Sequence, residues 1–158
     1  MQPTDFQPRN PDFLARTTRA FIEQEFMGFL GARLDHVGPG EVDIRLPWRD
    51  GLSQQHGYFH GGAIGAIADV AGGFAAFSLL AARDSILTVE YKVNMLAPGM
   101  GEALIARGRV LRPGRRLSVA EARIFSLKDG HERLCATALG TFMTMADMAA
   151  PGQRDQQA

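Results

Sequence analysis

The chain has 158 residues, 46% of them apolar and 22% charged, enough for one domain with a sizeable core. Lys+Arg and Asp+Glu both number 17, so the net charge gives no pull toward nucleic acid or an acidic membrane surface. The single cysteine, Cys135, excludes an intrachain disulfide and a cysteine-rich zinc site, and it fits a reducing, cytoplasmic compartment.

The opening residues, MQPTDFQPRN, hold an acid and two prolines around no apolar core, so they do not read as a secretory signal. From Pro11 to about Phe26 the spacing predicts an amphipathic helix. Phe13, Leu14, Thr17, Phe21 and Ile22 form its apolar face, with Arg16, Arg19, Glu23 and Glu25 between them. Gly28 and Gly31 interrupt it. Two strands are expected next, Phe29 to Val37 and Val42 to Trp48, around the turn Gly38-Pro39-Gly40. Residues 49–59 read as a polar and aromatic loop, and residues 60–83 as one long apolar helix. Four strands follow: Ile86 to Leu96, Glu102 to Leu111, Leu117 to Leu127 and Leu134 to Met145. Pro98-Gly99, Pro113-Gly114 and Lys128-Asp129-Gly130 separate them. In the first, Leu87, Val89, Tyr91, Val93 and Met95 alternate with Thr88, Glu90, Lys92 and Asn94, which assigns Thr88 to a polar face. The tail from Asp147 to Ala158 is polar and expected to fray.

Four successive strands with no helix between them predict an α+β fold with a mainly antiparallel sheet. A helix apolar on nearly every side must be covered on nearly every side. One curved sheet covers part of it, and a second copy of the chain is the simplest cover for the rest. Residues 61–82 carry one charge, Asp69, and are long enough to span a bilayer. Much of the segment is Ala and Gly, however, and Asp69 would cost about 2.5–3.5 kcal/mol near the bilayer centre. A helix buried in a soluble protein, with no membrane partner, is the better reading.

That lone acid carries chemistry. A carboxylate in so apolar a segment costs several kcal/mol if ionised and unpaired, and burial makes it more basic. Asp69 is therefore a candidate general base or nucleophile. His60-Gly61-Gly62 opens the helix and leaves backbone N–H groups at the positive end of its dipole. Gly61 lets a carbonyl oxygen approach with no side chain in the way. A base and an oxyanion donor together point to acyl-group chemistry.

Arg112, Arg115 and Arg116 bracket the Pro113-Gly114 turn and suit phosphate oxygens. Arg107 and Arg109 extend a basic stripe along the preceding strand. Each feature has a structural alternative. Asp69 could be tied to backbone N–H groups, His60 could be only a helix cap, and Gln54 could serve its own loop. Thr88 could be a bystander and the arginines a solvated hairpin tip; Gly65, Gly72 and Gly73 read as close-packing positions. His36, His56 and His131 have no second ligand at a metal-like spacing, so no metal is expected.

The run Gln54-Gln55-His56-Gly57-Tyr58-Phe59-His60-Gly61-Gly62, followed by Ala68-Asp69, Thr88-Val89-Glu90-Tyr91 and Ala97-Pro98, resembles a known family. It is similar to the hotdog-fold acyl-CoA thioesterases of the phenylacetic-acid-degradation (PaaI-like) type, over about Phe29 to Met145. The resemblance implies a hotdog domain at 29–145, preceded by a one-helix segment at 1–28 and followed by a flexible tail at 146–158. It implies that Asp69 is the catalytic acid and that the Gly61 N–H polarises the thioester carbonyl, with Gly62 beside it in the substrate-binding turn. By the same resemblance Thr88 positions the attacking water and His60 orients the turn or the thioester. Gln54 departs from the family, many of whose members have Asn there. The implied activity is hydrolysis of an acyl-CoA to a free acid and CoA, with no cofactor, by a homodimer or homotetramer that binds no nucleic acid. A hydratase or dehydratase on this fold would want a His–Asp or His–Glu pair, which Asp69 beside Val70 and Ala71 does not offer in sequence. A non-catalytic acyl-CoA-binding or regulatory module is the alternative from another class.

Helix geometry adds one expectation. Asp69 lies nine residues after His60, about 13.5 Å along the helix and about 180° around it. A site that needs both ends is then shared between two chains, His60, Gly61 and Gln54 from one and Asp69 and Thr88 from the other.

Overall fold

Two short helices, two strands, a long helix and four strands follow one another along the chain, in a computed structural model that describes residues 6–148. They are α1 (Phe13–Ile22), α2 (Glu25–Leu30), β1 (Arg33–Gly38), β2 (Glu41–Pro47), α3 (Gly61–Phe77), β3 (Ser85–Met95), β4 (Ala103–Arg112), β5 (Leu117–Lys128) and β6 (His131–Met145). All six strands join one sheet in the order β1-β2-β4-β5-β6-β3, and every neighbouring pair is antiparallel. The expected α+β architecture is present, with the sheet packed against one long helix. The tail beyond residue 148 lies outside the described residues.

The expected strand from Phe29 is wrong at its start. Residues 25–30 are a second helix, which Gly31 ends in the left-handed conformation at φ 75°. Gly31 has the cap geometry that lets a helix stop abruptly, so β1 begins only at Arg33. The long helix also ends earlier than expected, at Phe77. There the Ser78 hydroxyl donates to the Ala75 carbonyl at 2.7 Å and accepts from the Gly40 N–H at 2.8 Å. The Lys128-Asp129-Gly130 turn is as expected: Asp129 and Gly130 both take positive φ, 51° and 76°, the pattern of a tight hairpin whose twist matches its strands.

Why α3 sits so close to the sheet follows from what faces it. The inward positions of the central strands are mostly small: Ala106 and Gly108 on β4, Ala120 and Ala122 on β5, Ala136, Ala138 and Gly140 on β6. At Gly108 a Cβ would lie 2.1 Å from the Ala71 carbonyl oxygen, so only glycine admits the helix backbone here. On β6, Phe142, 1% exposed, fits against Gly72 and Gly73. Small residues on both partners bring backbone to backbone and place α3 in a trough. At its C-terminal end α1 lies across it, with Phe21 edge-on to Phe74 and the Arg16 guanidinium 4.0 Å above the Phe77 ring.

One irregularity positions the site. β3 pairs with β6 in regular register until a bulge between Thr88 and Glu90. Thr88 is opposite Phe142 and Tyr91 is opposite Gly140, both of which face α3. The extra residue, Val89, switches the alternation. Thr88 therefore shares the helix-facing side with Tyr91, Val93 and Met95, rather than the polar face that simple alternation assigns it. β3 is also an edge strand, and Leu87, Val89, Tyr91 and Met95 are 42–54% exposed along it. Among the described residues no helix is long and apolar enough to cross a membrane.

Candidate active site

At the head of α3, His60 is the N-cap residue, in extended conformation, and its Nδ1 accepts a hydrogen bond from the Gly62 N–H at 2.9 Å. The His60 carbonyl accepts from Ala63 and Ile64. Of the first four N–H groups, the one at Gly61 is left without a partner among the described residues. Gly61 is exposed, and a Cβ built there would touch only the Met95 methyl, at 3.4 Å. The turn thus offers one free donor, at the positive end of the dipole and open to a ligand. Since Nδ1 accepts, the neutral His60 ring carries its proton on Nε2. His60 therefore does act as a cap, and Gly62, predicted to bind substrate, has its N–H engaged by that cap.

Two turns along, Asp69 is half-buried on the side of α3 that faces β3. The Thr88 hydroxyl donates to its Oδ1 at 2.8 Å. Burial raises the carboxyl above the usual carboxylate range, and the Thr88 hydrogen bond partly opposes that. Oδ2 has no protein partner among the described residues. The structure thus brings together Asp69 and Thr88 in a single chain. It separates Asp69 from Gly61 by eight helical residues, about 12 Å.

The remaining predicted residues are placed as follows. The Gln54 side-chain oxygen turns back to accept the His56 N–H, and its backbone is bonded to Tyr58 and Gly57, so it braces its own loop. Arg112, Arg115 and Arg116 are exposed at the β4–β5 hairpin and form no ion pair among the described residues. Arg107 and Arg109 do not form the basic stripe that their sequence suggests. Arg107 pairs with Glu132 at 2.8 Å and Arg109 with Asp43 at 2.5 Å, across strands whose register sequence alone does not give. No three His, Cys, Asp or Glu residues cluster as metal ligands among the described residues.

The chain that carries this half-buried carboxylate and free N–H is similar to known proteins. The sequence profile of the thioesterase superfamily matches residues 56–132. A crystal structure of a thioesterase family protein from Silicibacter pomeroyi is 41% identical, superposes with a TM-score of 0.83, and covers 85% of this chain and 98% of its own. The chain belongs to the thioesterase superfamily. An esterase-named protein of Saccharolobus solfataricus is 31% identical over 77% of this chain and 78% of its own length. The 1,4-dihydroxy-2-naphthoyl-CoA hydrolase of Escherichia coli is 25% identical over 75% of this chain and 86% of its own. The chain is a thioester hydrolase with the hotdog fold.

Sequence reasoning gave no role to one residue of this thioesterase that the structure brings against α3. Tyr91 packs over Gly65, where a Cβ would lie 3.4 Å from its hydroxyl. Its neighbourhood was hidden because the bulge at Val89 depends on pairing with β6, not on local pattern.

Proposed function

We propose that this thioesterase hydrolyses acyl-CoA thioesters, without a cofactor, in a site completed by a second copy of the chain. The observation that carries the reading is the Asp69–Thr88 pair, with one carboxylate oxygen fixed and the other open, on the same helix as an unpaired Gly61 N–H. The base must reach the attacking water and the donor the carbonyl oxygen, each at about 3 Å, yet one helix holds them about 12 Å apart. Two α3 helices running antiparallel about a two-fold axis bring Gly61 of one copy to Asp69 of the other. The apolar, unpaired edge of β3 is the surface on which the second copy docks.

In this reading Thr88 holds Oδ1, and Oδ2 takes a proton from water as its oxygen attacks the thioester carbonyl carbon. The oxyanion is stabilised by the Gly61 N–H. Collapse breaks the C–S bond, the departing CoA sulfur takes the proton from Asp69, and the acid is released. Arg112, Arg115 and Arg116 bind CoA phosphates. Arg116 is linked to the β3 end of the site because its carbonyl accepts the Thr144 N–H at 2.8 Å, and Thr144 pairs with Ile86. His60 holds the glycine turn in shape, and the buried free thiol of Cys135 fits a cytoplasmic setting.

Two inactive variants test the shared site. Asp69→Ala removes the base. Gly61→Pro removes the free N–H at a first helical position that tolerates proline, after a residue already extended. Mixed under subunit exchange, they should restore about a quarter of wild-type thiol release, since random pairing gives one intact site in half of the dimers. Exchange without recovered activity would exclude the arrangement.

A further inference from the structure

Tyr91 occupies a position that the proposed mechanism leaves unused. It lies on the helix-facing side of β3, and the bulge at Val89 brings Thr88 onto the same side. Its Oη lies 3.4 Å, and its ring edge 3.8 Å, from where a Gly65 Cβ would sit. Gly65 is one turn before Asp69 on the same side of α3, and helical side chains lean toward the N-terminus, over the preceding turn. The Asp69 carboxylate therefore leans toward the surface patch that Tyr91 covers. Neither Tyr91 Oη nor Asp69 Oδ2 has a partner among the described residues, and the two do not bond each other directly. Tyr91 is 42% exposed, so the residue is not sealed in the core.

We propose that Tyr91 is a positioning residue, whose hydroxyl and the free Oδ2 of Asp69 hold the attacking water between them above Gly65. The water donates one hydrogen to Oδ2 and accepts one from Tyr91, which leaves its second lone pair to attack the thioester carbon. Thr88 fixes the opposite oxygen, so the two hydroxyls of β3 orient base and water from the same strand. Gly65 is glycine because a side chain there would fill the water's place. Among the described residues no other ionisable group faces Asp69. The inward residues of β2, β4 and β5 carry none; on β6, Cys135 is toward the Met95 end; on α1, Arg16 stacks on Phe77, about two turns beyond.

This rests on the reading of Asp69 as the base, and the test separates the two. Tyr91→Phe keeps the ring and its packing. On a short acyl thioester it should lower kcat about tenfold, the value of one hydrogen bond to a charged network, with KM within about twofold. The acid limb of the kcat profile should move to higher pH, because the water that donates to the carboxylate and favours its charged form loses its anchor at Tyr91. Carbon-13 NMR of the Asp69 carboxyl in both proteins reads the same coupling without turnover, and its titration midpoint should rise in the Phe variant. Unchanged kcat, an unmoved acid limb and an unmoved carboxyl titration would overturn the role of Tyr91. If the titration moves but wild type releases no thiol from any acyl-CoA, the Tyr91–Asp69 coupling holds and the hydrolase reading of the site falls.

Discussion

Gly108→Ala is the substitution whose consequence is most sharply fixed by the geometry. The new Cβ would lie 2.1 Å from the Ala71 carbonyl oxygen, 2.3 Å from its carbon and 2.8 Å from the Gly72 nitrogen. These are backbone atoms of α3, and Gly108 is on β4, held by β2 and β5 on either side. Neither partner can rotate away. Restoring an ordinary contact needs the helix to retreat by about 1 Å, which takes it off Phe142 as well. Overpacking on this scale costs about 1–3 kcal/mol, and this case belongs at the upper end. The same retreat stretches the 2.8 Å bond between Thr88 and Asp69 past hydrogen-bond range. A misplacement of about 1 Å can lower activity about 100-fold. Urea unfolding followed by circular dichroism reads the first effect, and initial rates of thiol release the second. Gly28→Ala serves as the control: nothing lies within 4 Å of its Cβ, in a helix. It should stabilise by about 0.4–1 kcal/mol. A Gly108→Ala protein as stable and active as wild type would show that the close approach of α3 to β4 does not hold the site in register.

Asp69→Asn should abolish most turnover, by about 10²–10⁴-fold, while stabilising the fold in a pH-dependent way. Because the folded carboxyl titrates above its unfolded value, folded protein keeps the proton longer, and stability falls as pH rises through that window. The advantage of Asn should therefore be absent in acid, grow above about pH 3.9, and level off once the folded carboxyl is ionised; a Tm difference independent of pH would contradict the raised carboxyl. Replacing Arg115 and Arg116 with Ala should raise KM for an acyl-CoA and leave kcat and a nucleotide-free thioester nearly unchanged, whereas equal losses on both substrates would point to folding instead. His60→Ala removes the acceptor for the Gly62 N–H and should cost about 1 kcal/mol of stability, measured by urea unfolding; no loss would mean that water caps the turn equally well.

Much of the fold was legible because its signals are local. Pro39-Gly40, Pro98-Gly99 and Asp129-Gly130 mark chain reversals by backbone chemistry alone, and Asp69 stands out by charge in an apolar run. The misses share a different origin. The six residues of α2 are too few for periodicity to separate a helix from a strand. The face of Thr88 depends on a bulge set by β6, about 50 residues away in sequence. Arg109 is neutralised only once β2 and β4 pair and bring Asp43 and Glu41 alongside, and Arg107 once β6 brings Glu132. Each miss is a property of register, which the pairing of distant segments fixes.

The two free edges of the sheet are chemically unlike. β3 presents Leu87, Val89, Tyr91 and Met95, whereas β1 presents Arg33, Asp35 and His36 as exposed side chains. An open sheet could in principle grow without limit, each copy adding its β3 to the next copy's β1, and such head-to-tail addition produces filaments. Here that joint would set an apolar ridge against charged groups and strip their water. Both edge strands also carry a bulge that breaks the flat ladder a growing sheet needs, at Leu34/His36 and Thr88/Glu90. In the proposed dimer the apolar edge meets another copy of itself, and a two-fold pairing of that kind would use up the sticky surface and end. On that proposal, the edge that invites association would also be the feature that stops it at a closed particle.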